Sequence, residues 1–89
     1  MSAVWKYELL PGANELRMPR DARIVSVGVR DLSVVLWAWV TPELESTTRR
    51  VRAVATGEVF DSTELCFIGT VSIVYREGTL VFHVFEEPV

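Results

Sequence analysis

The chain has 89 residues, 49% hydrophobic and 10% aromatic, with a formal charge of −3 and a pI near 5.0. That length holds one domain with a single core. The hydrophobic content excludes disorder, and the acidic balance excludes nucleic-acid binding driven by overall charge.

In chain order, Val4-Trp5-Lys6-Tyr7-Glu8-Leu9-Leu10 alternates, with Trp5, Tyr7 and Leu9 on one side and Lys6 and Glu8 on the other. This pattern predicts a half-buried strand. Pro11-Gly12 ends it, and Glu15 to Met18 is a short extended piece before Pro19. Arg23 to Arg30 predicts a strand with Val25, Val27 and Val29 on one face; Gly28 within it marks a bulge or a close approach by another chain. Asp31 is the only turn residue before the next element, so a tight hairpin is expected there without the usual glycine.

Leu32 to Val40 carries one polar side chain and two tryptophans, and is far shorter than the roughly 20 apolar residues of a membrane span. It reads as a strand apolar on both faces, Val34, Leu36 and Ala38 opposing Val35, Trp37 and Trp39. Glu43 to Ser46 is a loop with room for one helical turn. Thr47 to Thr56 is a strand with Val51, Ala53 and Ala55 inward and Arg50, Arg52 and Val54 outward. Gly57 to Leu65 is a loop in which Asp61 caps a short helical turn, with Glu64 three residues on. Phe67 to Tyr75 and Thr79 to Glu86 form a hairpin with a type I′ turn at Glu77-Gly78, which pairs Tyr75 with Leu80. In the last strand Leu80, Phe82 and Val84 oppose Val81, His83 and Phe85.

No helical period outlasts two turns, and there are no internal repeats. The expected architecture is all-β: a single small antiparallel β-sandwich or partly open barrel of six to seven short strands. Three strands apolar on both faces exceed what one small core consumes, so a homo-oligomer is expected, most simply a dimer.

Chemistry is sparse. One histidine and one cysteine cannot supply a structural zinc site, and no acidic loop motif or Gly-rich phosphate loop occurs, so neither metal nor cofactor is expected. Hairpin register separates Cys66 from His83, which argues against a Cys-His dyad. His83 then reads as a hydrogen-bonded structural residue and Cys66 as a small buried hydrophobe. The lone cysteine excludes an internal disulfide and fits a reducing compartment, and Lys6 and Glu8 interrupt the apolar start of the chain, against a signal peptide. Eight arginines stand against the single Lys6. Arg50 and Arg52 project from one strand face, guanidinium forks bind phosphate bidentately, and a tryptophan plane stacks a base. The candidate ligand-binding set is therefore Arg50, Arg52, Trp37 and Trp39, with an anion as the ligand, either a nucleotide or a carboxylate patch of a host protein.

The opening Val4-Trp5-Lys6-Tyr7-Glu8-Leu9, the strand Leu36-Trp37-Ala38-Trp39-Val40, the segments Leu16-Arg17-Met18-Pro19 and Ile68-Gly69-Thr70, and the ending Leu80-Val81-Phe82-His83-Val84-Phe85-Glu86 occur in one order. That order resembles a family of very small uncharacterised proteins of bacteriophage and prophage genomes; Glu58-Val59-Phe60 departs from the family's more polar loop. The resemblance brings no catalytic residues. It implies a phage accessory protein of the host bacterial cytoplasm that inhibits or sequesters something of the host. The expected function is non-enzymatic binding: capture of a host protein or a small anionic signalling nucleotide of antiphage defence. No membrane and no sequence-specific nucleic acid are expected as partners. A structural self-assembly module is the alternative, and a nucleotide hydrolase ranks third.

Overall fold

The computed structural model describes residues 1–61 and 64–88. Seven strands follow one another: β1 (Ala3–Leu9), β2 (Gly12–Pro19), β3 (Arg23–Arg30), β4 (Ser33–Val40), β5 (Ser46–Ala55), β6 (Cys66–Tyr75) and β7 (Gly78–Glu87). All pairings are antiparallel, in a three-stranded sheet of order β1-β4-β3 and a four-stranded sheet of order β2-β5-β7-β6. The all-β expectation holds, with two sheets over one core and, among the described residues, no helix and no closed barrel.

The strand period decides what lies inside. Val34, Leu36, Ala38 and Val40 of β4 share one buried cluster with Val51 and Ala53 of β5, Val71 and Ile73 of β6, and Phe82 and Val84 of β7. The alternate residues of each strand face away from the core. Where the sheets come together at β3 and β6, a Cβ on Gly69 would lie 2.6 Å from Val27 Cγ2. Only a residue without a side chain fits that crossing.

Four local expectations are corrected. β2 is a full strand from Gly12, because its whole length pairs with β5. A bulge between Ile24 and Ser26 takes Val25 out of the alternation, leaving it 54% exposed while Ile24, Val27 and Val29 pack on the core. The β6–β7 turn is Arg76-Glu77, with Tyr75 opposite Gly78. It is not type I′, since neither turn residue has positive φ. Cys66 is exposed at the start of β6. The hairpin between β3 and β4 does lack glycine: Asp31 and Leu32 both take positive φ, 51° and 64°. The segment from Thr41 to Leu44 is a single turn, Leu44 N–H donating to the Thr41 carbonyl at 3.0 Å. The helical turn expected from Asp61 falls on residues 62 and 63, outside the described residues.

Candidate functional site

The four candidate ligand-binding residues do not meet. Trp37 and Trp39 lie on the outer face of the three-stranded sheet, Arg50 and Arg52 on the outer face of the four-stranded sheet, with the core between them. The expected common pocket is corrected on that ground: the two strands belong to different sheets, and both sets alternate with core residues. Each pair has acquired different neighbours.

On the four-stranded sheet, β5 lies against β7 and β7 against β6, so Arg52 stands opposite Phe85 and Phe85 opposite Phe67. One outward row thus runs arginine, phenylalanine, phenylalanine across three strands, roughly 10 Å from first to last at the strand spacing. Phe67 meets Phe85 edge-on, centroids 5.6 Å apart, and Phe60 tilts against Phe85 at 5.7 Å. Phe67 remains 62% exposed. Arg52 is held on two sides: Nη1 donates to the Asp61 carbonyl at 3.0 Å and Nη2 pairs with Glu87. Its buried Nε has no partner among the described residues. Arg50, opposite Glu15 on one side and Glu87 on the other, is exposed and makes no hydrogen bond or ion pair among the described residues. Arg50, Arg52, Asp61, Leu65, Glu87 and Pro88 line a cleft of 260 Å³.

On the three-stranded sheet the tryptophans stand among cations. Lys6 is opposite Trp37, Arg23 opposite Trp39. The Arg30 guanidinium carbon lies 5.1 Å from the centroid of the Trp37 ring. That ring lies over Gly28, where an added Cβ would be 3.0 Å from Cζ3. The expectation at Gly28 is corrected: the close approach comes from a side chain of the same sheet and not from another chain, and the bulge of β3 lies between Ile24 and Ser26.

Between the sheets sits an ion pair that the sequence reading did not single out. Arg49 and Glu86 pair through two hydrogen bonds, and Arg49 Nη1 donates to the Ala22 carbonyl at 2.8 Å. The carboxylate's hydrogen bonds raise the Arg49 pKa above its ordinary value against the cost of burial. Burial raises that of nearby Tyr7, which the Arg49 charge partly offsets. At the sandwich margin, Thr41 Oγ1 donates to Asp21 at 2.6 Å and lowers the pKa of its carboxyl.

His83 has both ring nitrogens engaged, Nε2 with Thr56 Oγ1 at 2.7 Å and Nδ1 with Thr70 Oγ1 at 3.0 Å, as a structural histidine would. Cys66 lies opposite Glu86, three residues from His83 along β7, or about 10 Å. Among the described residues no three of His, Cys, Asp and Glu gather as a metal site, and no helix is long and apolar enough to cross a membrane.

Residues 1–89 match DUF7352, a domain of unknown function. The chain belongs to the DUF7352 family. No curated protein and no solved structure matches it. DUF7352 membership spans the whole length on which the resemblance to a small family rested, and it assigns no ligand to either face. The phenylalanine row was missed because it depends on β5 lying beside β7, strands not consecutive in sequence. Outward alternation of Arg50 and Arg52 and of His83 and Phe85 was the available signal.

Proposed function

We propose that the protein is a non-enzymatic binding module that captures an anionic nucleotide on the outer face of its four-stranded sheet. The observation that carries this reading is the row Arg52, Phe85, Phe67 beside the unengaged Arg50. A phosphate held by the exposed Arg50 and by an Arg52 guanidinium turned from Glu87 leaves a base within reach of the exposed Phe67 ring. Glu87 both positions Arg52 and competes with the ligand for it. A group that engages both arginines, such as a phosphodiester or pyrophosphate, is therefore favoured over a single carboxylate. Among the described residues, nothing lining this cleft combines a nucleophile with a base, and in this reading the ligand is held and returned unchanged. In the phage-type setting that the family resemblance implies, the module acts in the bacterial cytoplasm as an anti-defence protein, withdrawing a signalling nucleotide or host factor.

Calorimetry against a panel of cyclic and ADP-ribose-type nucleotides tests this. Binding by the wild type, lost in the Arg50→Gln/Arg52→Gln variant, with intact nucleotide recovered after denaturation, supports it. If no nucleotide binds, the nucleotide reading fails and a host protein becomes the target. If both forms bind equally, the site lies elsewhere.

The alternative is self-assembly, favoured by a specific observation. Leu10, Leu32 and Leu80 are all exposed, and they line one groove with Pro11, Tyr75 and Phe82 at the end of the sandwich. A homo-oligomer, simplest as a dimer, would cover that end. Light scattering at micromolar concentration tests it, and a monomeric mass overturns it.

A further inference from the structure

We infer that the outer face of the three-stranded sheet is a stacking platform for single-stranded nucleic acid, read without base sequence. The face is built from β4 in the centre, β1 and β3 at its sides. Its two tryptophans are two residues apart on the central strand, so their Cα atoms stand about 6.5–7 Å apart. Trp39 is 49% exposed in the open part of the face, with the exposed Val4 opposite it on β1. Trp37 is set over Gly28 with the Arg30 guanidinium at its ring. One indole is thereby pre-positioned and the other is open.

Charge selects the occupant. Lys6, Arg23 and Arg30 all belong to this face and are all exposed, though the whole chain is acidic. The carboxylate among them, Glu8, accepts a hydrogen bond from Ser33 Oγ at 3.0 Å. A second copy docked by two-fold symmetry would bring these cations against themselves with too few carboxylates to answer them. An extended peptide that reads a sheet pairs with an edge strand through backbone groups, which a face does not offer. Single-stranded nucleic acid asks for the two things present: planar apolar rings for bases and cations beside them for phosphates. Base edges meet no fixed array of donors and acceptors here, so no sequence preference is expected.

The test uses the whole protein and short labelled oligothymidylate and oligouridylate, read by fluorescence anisotropy and by quenching of tryptophan emission. Binding is expected to weaken with salt at a log–log slope of about −2, as three phosphate contacts on a single strand give. Trp39→Ala is expected to lower affinity roughly tenfold, one base stack. In case that variant fails to fold, Arg23→Gln and Lys6→Gln serve, each weakening binding and each reducing the salt slope by about 0.7. A duplex of equal length should bind more weakly than the single strand. The inference is overturned by absence of binding at low salt, by Trp39→Ala binding as the wild type does, or by equal competition from polyglutamate. A fall in oligomer mass in folded Trp39→Ala overturns it in favour of a self-contact. If instead Arg50→Gln/Arg52→Gln alone abolishes oligonucleotide binding, the platform is refuted while the cleft on the other sheet stands.

Discussion

Arg49 and Glu86 meet between the two sheets, their side chains 17% and 21% exposed, and join β5 to β7. Removing one member strands the other. Glu86→Gln or Arg49→Met alone is expected to cost about 1–3 kcal/mol, between an exposed pair and a fully buried one. The double change Arg49→Met/Glu86→Leu should recover most of that loss, because charges desolvated together are replaced by packing. Urea titrations of the three variants check this. A double variant no more stable than either single one would mean that Arg49 acts chiefly through the Ala22 carbonyl.

Gly69 of β6 and Val27 of β3 face each other across the two sheets. Gly69→Ala places a Cβ 2.6 Å from Val27 Cγ2, and overpacking of this kind costs about 1–3 kcal/mol. Val27→Ala removes the clashing methyl groups but opens space in the core. The two together should be less destabilising than the sum of the singles, a coupling that a double-mutant cycle measures directly. Simple additivity would show that the clash is relieved by backbone movement.

Most strands were legible because they are short, β-branched and alternating: the sequence places Arg23 to Arg30 as a strand and the structure gives the same bounds. Failures came where pairing, not composition, decides. The Val25 bulge and the Arg76-Glu77 turn each shift a register, and nothing in the local residues marks the shift. Arg50 and Arg52 were placed outward and Trp37 and Trp39 on the face of their strand opposite Leu36, yet the two pairs belong to different sheets. Local alternation says which residues leave the core; only the non-local order β2-β5-β7-β6 says which of them share a face. The Arg49–Glu86 pair was hidden for the same reason, since polar residues at inward positions acquire meaning only when the opposing strand is known.

Asp21 ties the turn after β2 to the end of β4 through Thr41. The Thr41 hydroxyl lowers its carboxyl pKa below the ordinary value of 3.8. A group depressed in the folded state stabilises above its unfolded pKa and loses that contribution as pH falls through the folded value. The loss therefore belongs below about pH 4, not near neutrality. Asp21→Asn should flatten the acid limb of a Tm-against-pH profile while leaving its shape above pH 5 unchanged. An unaltered acid limb would assign acid sensitivity to other carboxylates.

Leu32 holds a left-handed conformation at an exposed turn, φ 64°, where its branched side chain gains little from its own strand. Both central residues of the β3–β4 hairpin have positive φ, the geometry that a twisted two-residue connection demands. Asp31 tolerates it, but a leucine there costs about 1–2 kcal/mol. Leu32→Asn relieves the strain without the extra unfolded-state freedom of glycine. A gain of about 1 kcal/mol raises Tm by roughly 4–8 °C in a domain of this size. A lower Tm would show that packing with Leu10 and Leu80 in the end groove outweighs the strain. The same variant bears on assembly, since Leu32 is exposed at that groove. If the groove is the self-contact, Leu32→Asn should raise the melting temperature of the dilute protein and lower its mass at micromolar concentration. A raised Tm with unchanged mass would detach Leu32 from the interface and leave the strained turn without a role in association.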